Sequence, residues 1–278
     1  MLFSNSFEEL PVTEKPEEAP EHASELPAVF IGENCPCLPE VGAFSNIGDR
    51  KDQQDSYGYV RYGNGIFAAV ADGMGGLKEG GKVSRGVIEY FIRECGGDVS
   101  GDDALYRMLA SVNFRINRLL GRKNLRKSGS TLVAVMAEED NFRWISVGDS
   151  HIYLFRGEKL LLLNREHIYR SCLLLNAVNG KAGFDEIDEN VQKDGLTSFI
   201  GMGDLACVDG SQSAVPAKSG DMLLLVSDGV YNALGDALLE KLMNSDTDIQ
   251  GKADKIGQAV LDAHMPQQDN FTVLIVGI

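Results

Sequence analysis

The sequence predicts an α+β sandwich: a central pair of antiparallel sheets, flanked by helices on both outer faces. Three features point there: two helical stretches in succession with no strand between them, a run of short strands joined by tight turns, and a second helix pair late in the chain. Consecutive helices break the alternation expected of a doubly wound parallel sheet. Short sequential strands pair as an antiparallel meander, and two such sheets bury their apolar faces against each other.

The elements follow in order. Residues 1–40 hold nine Glu, no Asp and one Lys (Lys15), a net charge of -8. Residues 7–28 are rich in Glu, Pro, Ala and Ser. Such a segment buries too little apolar surface to offset the entropy of ordering. Residues 1–40 are therefore expected to form a disordered acidic tether, and 41–278 a single domain. Gly65 to Ala71 is an apolar run that reads as a buried strand ending at Asp72. Residues 80–95 place Val83, Val87, Tyr90 and Phe91 on one helical face. Residues 103–121 do the same with Leu105, Met108, Leu109, Val112, Ile116, Leu119 and Leu120. Strands are expected at Ser130–Ala137, Phe142–Val147, His151–Arg156 and Lys159–Leu163, the last two joined by Gly157-Glu158. A helix over 166–178 and an irregular polar segment over 179–195 precede an apolar strand, Asp221–Ser227. Helices near 230–243 and 249–264 lead to a final strand, Phe271–Ile278.

Composition narrows the function. The chain carries 41 Asp+Glu against 26 Lys+Arg, a net charge of -15, which argues against nucleic acid as a partner. The 44% apolar content suits a globular core. No run approaches the roughly 18 apolar residues of a membrane span. The first residues show no positive or apolar signal region. Cys35, Cys37, Cys95, Cys172 and Cys207 are odd in number and irregularly spaced, as reduced thiols of a cytoplasmic protein would be.

The chemistry lies in where the aspartates fall. Asp72 ends one apolar run and precedes Gly73-Met74-Gly75-Gly76; Asp149 follows Val147-Gly148; Asp228 follows Val226-Ser227 and precedes Gly229; Asp269 precedes Asn270 and the last strand. A carboxylate at the rim of a buried strand is costly unless paired or metal-bound. Turn-forming or helix-capping is the competing reading of each. All-oxygen ligation selects hard cations such as Mg²⁺ or Mn²⁺.

These segments, in this order, resemble the PPM (type 2C) family of metal-dependent protein phosphatases. The likeness runs from about residue 41 onward. It rests on Gly48-Asp49-Arg50 through Asp55-Ser56, Asp72-Gly73-Met74-Gly75-Gly76, Gly129-Ser130-Thr131, Val147-Gly148-Asp149-Ser150, Leu196 to Gly201, Ser227-Asp228-Gly229 and Asp269-Asn270. The resemblance implies two divalent cations, Mn²⁺ or Mg²⁺, with a third, weaker one. Asp72 would bridge the pair, the Gly73 carbonyl would join one cation, and Asp228 and Asp269 would hold the other. Asp149 would share the third with Asp228. Asp55 would order metal-bound water, and Arg50 would hold the substrate phosphate. Water activated by the two cations would attack phosphorus in line.

The same resemblance implies phosphoprotein substrates and an opposing Ser/Thr kinase; the chain is expected to be a monomer in the cytoplasm with no membrane or nucleic-acid partner. Departures from the pattern are Gln53 for Asn, Met74 for the His of many eukaryotic members, His151 for Arg, Glu166-His167 for Asp-His and Ser198 for Arg. None removes a proposed ligand. Two alternatives remain: a catalytically silent module that binds phosphoprotein, and a two-metal phosphodiesterase or nuclease, which the acidic surface disfavours.

Overall fold

A computed structural model describes residues 39–74, 79–97 and 99–278. The acidic segment expected over 1–40 therefore lies almost wholly outside the described residues. β1 (Val41–Asn46), β2 (Asp55–Tyr62) and β3 (Gly65–Met74) open the chain, followed by α1 (Glu79–Glu94) and α2 (Ala104–Leu120). Then come β4 (Gly129–Ser130), β5 (Leu132–Ala137), β6 (Asn141–Val147), β7 (His151–Arg156) and β8 (Lys159–Leu162). α3 (Tyr169–Val178), α4 (Asp185–Glu189), β9 (Asp209–Gly210), β10 (Val215–Pro216) and β11 (Met222–Val226) precede α5 (Asp228–Met243), α6 (Ile249–Asp262) and β12 (Phe271–Gly277).

The strands form two antiparallel sheets, in the orders β1-β12-β11-β7-β8 and β10-β6-β5-β3-β2, with β4 and β9 added to β3 and β6. Successive side chains of a strand point to opposite faces, and here both faces are covered. Ile66, Ala68 and Val70 of β3 meet Ile152, Leu154, Leu223, Leu225, Leu274 and Val276 between the sheets. Phe67, Ala69 and Ala71 face the other way, onto Val83, Val87 and Phe91 of α1 and Leu105, Leu109 and Val112 of α2. Leu224 and Val226 of β11 and Val273 and Ile275 of β12 pack outward on Leu239 and Met243 of α5 and Ile256 and Val260 of α6. The result is helix, sheet, sheet, helix. It explains why the central strands read as continuous apolar runs rather than alternating ones.

Several features differ from the sequence reading, among them the short strands β9 and β10, which it did not mark, and the split of its Ser130–Ala137 strand into β4 and β5. β1 and β2 are strands that it did not mark, because Ser45, Asn46, Tyr57, Gly58, Tyr59 and Arg61 dilute the apolar pattern. β3 runs past Asp72 to Met74. The segment 179–195 contains the short helix α4, whose Ile187 packs on Leu173 and Ala177 of α3. Among the described residues no helix is long and apolar enough to cross a membrane.

Candidate metal centre

Strand register brings the candidate acids to one end of the sandwich. In one sheet Asp55 pairs directly with Asp72, Val70 with Val133, and Leu132 with Val147. In the other, Val226 pairs with both His151 and Val273. The ends of β3, β6 and β11 and the starts of β2, β7, α5 and β12 therefore lie together.

Each acid is held by backbone chemistry. The Asp72 N–H donates to Thr131 Oγ1 at 2.9 Å, while its carbonyl accepts from Thr131 N at 2.8 Å and Ser130 Oγ at 3.0 Å. Gly73 N donates to the Gln54 carbonyl at 3.0 Å. A side chain at Gly73 would meet the Gly80 carbonyl oxygen at 2.3 Å and that of Gln54 at 2.8 Å, so the close approach of three backbones requires glycine. Asp149 sits on a tight turn after Gly148, whose φ of 105° favours glycine. His167 clasps that turn: its Nδ1 accepts from Gly148 N at 3.1 Å, and its own N–H donates to the Gly148 carbonyl at 2.9 Å. Asp228 begins α5, with Ser227 as its N-cap.

The acids strain one another. Burial, followed by the charges of Asp55, Asp228, Asp149 and Asp269, raises the Asp72 pKa well above the carboxylate range. Burial raises Asp55 to about 7 against its hydrogen bonds from Ser227 and Thr272, with Asp228 and Asp269 adding to the rise. Burial and the Asp228 charge raise Asp149 to about 7. Burial and the Asp269 charge raise Asp228 to about 6. Opposite this group, Arg50 Nη2 donates to Asp269 Oδ2 at 2.6 Å. The loop carrying Arg50 is stitched to the one carrying Asp269: Asp49 N donates to the Gln268 carbonyl at 2.8 Å, and Asn270 Nδ2 to that of Ile47 at 2.8 Å.

The donor set fits hard divalent cations. It is all oxygen, and Asp55 Oδ1 and Asp228 Oδ1 are buried with no hydrogen-bond partner. Leaving such an atom unsatisfied costs about 1–3 kcal/mol. Among the described residues, no three acidic, histidine or cysteine side chains close around a single point as a finished cage. The carboxylates are gathered but stand open.

Several residues shape this site without a role in the sequence reading. Ser227 Oγ donates to Asp55 Oδ2 at 2.7 Å and accepts from Thr272 N at 2.9 Å. Asn270 Oδ1 accepts from Gln54 N at 2.9 Å. Gln53, the departure from Asn, turns its Oε1 onto Asp55 N at 3.1 Å. Tyr231 Oη donates to the Asp149 carbonyl at 3.1 Å, and its ring stacks on His151 at 3.8 Å between centroids. Its place three residues after Asp228 puts both on one face of α5, the one signal that would have marked it.

Comparison with known proteins bears on this geometry. The chain is 26% identical over 246 residues to protein phosphatase PhpP of Streptococcus pneumoniae, covering 86% of this chain and 97% of that one. The fold superposes on the S. agalactiae serine/threonine phosphatase with a TM-score of 0.75 at 22% identity, over 87% of this chain and 100% of that one. It also matches the catalytic domain of the phosphatase PstP in complex with two manganese ions, with a TM-score of 0.70 at 22% identity, over 86% and 98% of the two chains. The family model for protein phosphatase 2C matches residues 44–249, a span that includes every gathered acid except Asp269. With the sandwich, the acids at its end and that match in agreement, the chain belongs to the protein phosphatase 2C family.

Proposed function

We propose that this chain is a working, metal-dependent protein phosphatase that hydrolyses phosphoserine and phosphothreonine esters, and that residues 41–278 form its catalytic unit. One observation carries the reading. Burial first, and the charges of neighbouring acids second, raise the pKa of Asp72, Asp55, Asp149 and Asp228 beside the Arg50 guanidinium, with two of their oxygens buried and unpartnered. Cations among such acids stabilise their anionic forms at neutral pH.

In this proposal Asp72, the Gly73 carbonyl, Asp228 and Asp269 would hold two cations, with Asp72 serving both, the Gly73 carbonyl one, and Asp228 with Asp269 the other. Asp149 and Asp228 would hold a third. Bound Mn²⁺ or Mg²⁺ supplies Lewis acidity that makes water nucleophilic near neutral pH. The relative crystallised with two manganese ions supports two cations as the working number. Asp55, fixed by Ser227 and Gln53, orients water with its free Oδ1. Arg50 spends one N–H on Asp269; the rest of its planar fork suits two phosphate oxygens. Water adds to phosphorus, the ester oxygen leaves, and inorganic phosphate and the free hydroxyl result. Met74 has no proton to give, so the leaving alkoxide takes its proton from water. Phosphoproteins are the substrates, a Ser/Thr kinase is the opposing enzyme, and the chain acts as a monomer in the cytoplasm.

Turnover of a phosphothreonine peptide by wild type and Asp228→Asn, with and without Mn²⁺, tests this. Wild type should require Mn²⁺, and the variant should lose at least tenfold in rate. Equal rates contradict the assignment. A wild type that binds Mn²⁺ and phosphopeptide without turnover would instead identify a silent binding module.

A further inference from the structure

The turn that carries Asp149 is gripped from two sides. His167 holds Gly148 through its ring and its own N–H. On the other side stands Tyr231, whose hydroxyl donates to the Asp149 carbonyl at 3.1 Å. A backbone anchor of this kind limits where the Asp149 carboxylate can point. Tyr231 is held in turn by stacking: its ring lies 3.8 Å from that of His151, with 11° between the planes. Tyr231 also follows Asp228 by three residues on α5, so one side chain ties the element of one acid to the backbone of another.

His151 is itself pinned at both ring nitrogens. Nε2 lies 2.9 Å from Glu166 Oε1, and Nδ1 lies 2.8 Å from Tyr153 Oη. Tyr153 donates its proton to Asp236 Oδ1 at 2.7 Å. Gly235 sets up that bond: its φ of 67° and ψ of 161° interrupt α5 just before Asp236, in a region of backbone space essentially confined to glycine. His151 and Tyr153 are both buried, so the assembly has little room to shift. His151 and Glu166 are also two of the departures from the phosphatase 2C pattern, and they meet each other. A side chain shorter than Arg faces a carboxylate longer than Asp, and the contact is kept.

We propose that Tyr231 is a positioning residue for the third cation, and that His151, held by Glu166 and Tyr153, is the platform that keeps the Tyr231 hydroxyl on Asp149. This rests on the metal-site reading above, in which Asp149 and Asp228 would hold that ion. Its test needs no turnover. Mn²⁺ is titrated into the full chain, with free and coupled ions followed by electron paramagnetic resonance. Wild type should take up the coupled pair first and one further ion at higher Mn²⁺. Tyr231→Phe keeps the ring and removes one oxygen and no charge; it should weaken the further ion about tenfold, the lower end of what outer contacts of a metal ligand contribute, and leave the pair as in wild type. Tyr153→Phe should act in the same direction and less strongly. The double variant should bind the further ion no more weakly than Tyr231→Phe, because Tyr153 acts only through Tyr231. If Tyr231→Phe does not fold, Tyr153→Phe alone must weaken the further ion and spare the pair. A wild type that takes only the pair, unchanged affinity for the further ion in the folded variants, equal losses at the pair and the further ion, or additive losses in the double variant would overturn the proposal and leave the pair standing. A wild type without a coupled pair would overturn the metal-site reading and this proposal with it.

Discussion

Ser227 shows how single side chains hold the acids in place. Its hydroxyl donates to Asp55 of one sheet and accepts from the Thr272 N–H of the other. Ser227→Ala removes one of the hydrogen bonds to a carboxyl that already has an orphaned Oδ1. The metal-free variant should lose about 1–3 kcal/mol in urea unfolding; an unchanged midpoint would show that the bond contributes nothing. Arg50 gives a second residue-scale prediction. A lysine keeps the charge but not the planar fork. Arg50→Lys should raise KM for phosphopeptide severalfold while Mn²⁺ affinity stays near wild type. Loss of Mn²⁺ binding instead would make Arg50 a structural partner of Asp269.

At the scale of elements, β11 is flanked by two carboxylates in opposite surroundings. Asp221 just before the strand is met by Arg156, whose Nη2 lies 2.5 Å from Oδ2. Although burial opposes it, that bond draws the Asp221 pKa below the ordinary value. Asp228 just after the strand has no such partner and is pushed the other way. Gly73 is the matching feature of β3. Gly73→Ala would drive a methyl group into the Gly80 and Gln54 carbonyls; overpacking of this kind costs about 1–3 kcal/mol. Its melting temperature should fall and Mn²⁺ affinity with it. A variant as stable as wild type would mean that α1 moves aside freely.

These elements also show what the sequence could tell. β3, β5, β11 and β12 were legible because both of their faces are buried, and Asp72, Asp149, Asp228 and Asp269 because each interrupts such a run or its flank. β1 and β2 were not, since half-exposed polar positions mask their period. Nor were the contacts of Asp55 with Ser227 and of Tyr231 with Asp149, which join residues 172 and 82 apart in the chain.

For the whole molecule, gathering these acids at one end of the sandwich has a price in stability that depends on pH. Asp55 and Asp149 titrate near 7 and Asp228 near 6, all raised from 3.8 by burial and neighbouring charge. Between about 4 and 7 the unfolded chain releases these protons first, so the metal-free fold loses stability as pH rises, with the full contribution present only below 4. Asp221, held low by Arg156, titrates below this window. The melting temperature without metal should therefore fall from pH 5 to pH 7.5, and Mn²⁺ should restore more of it at the higher pH, where the acids are free to bind. A profile that rises over this range would contradict the crowding. The most direct measurement is Mn²⁺ titration followed by electron paramagnetic resonance. Wild type should take up two ions close enough for spin coupling, and Asp72→Asn should abolish the coupled signal. An uncoupled spectrum in wild type, or the same coupling in Asp72→Asn, would show that these carboxylates do not share a pair of cations.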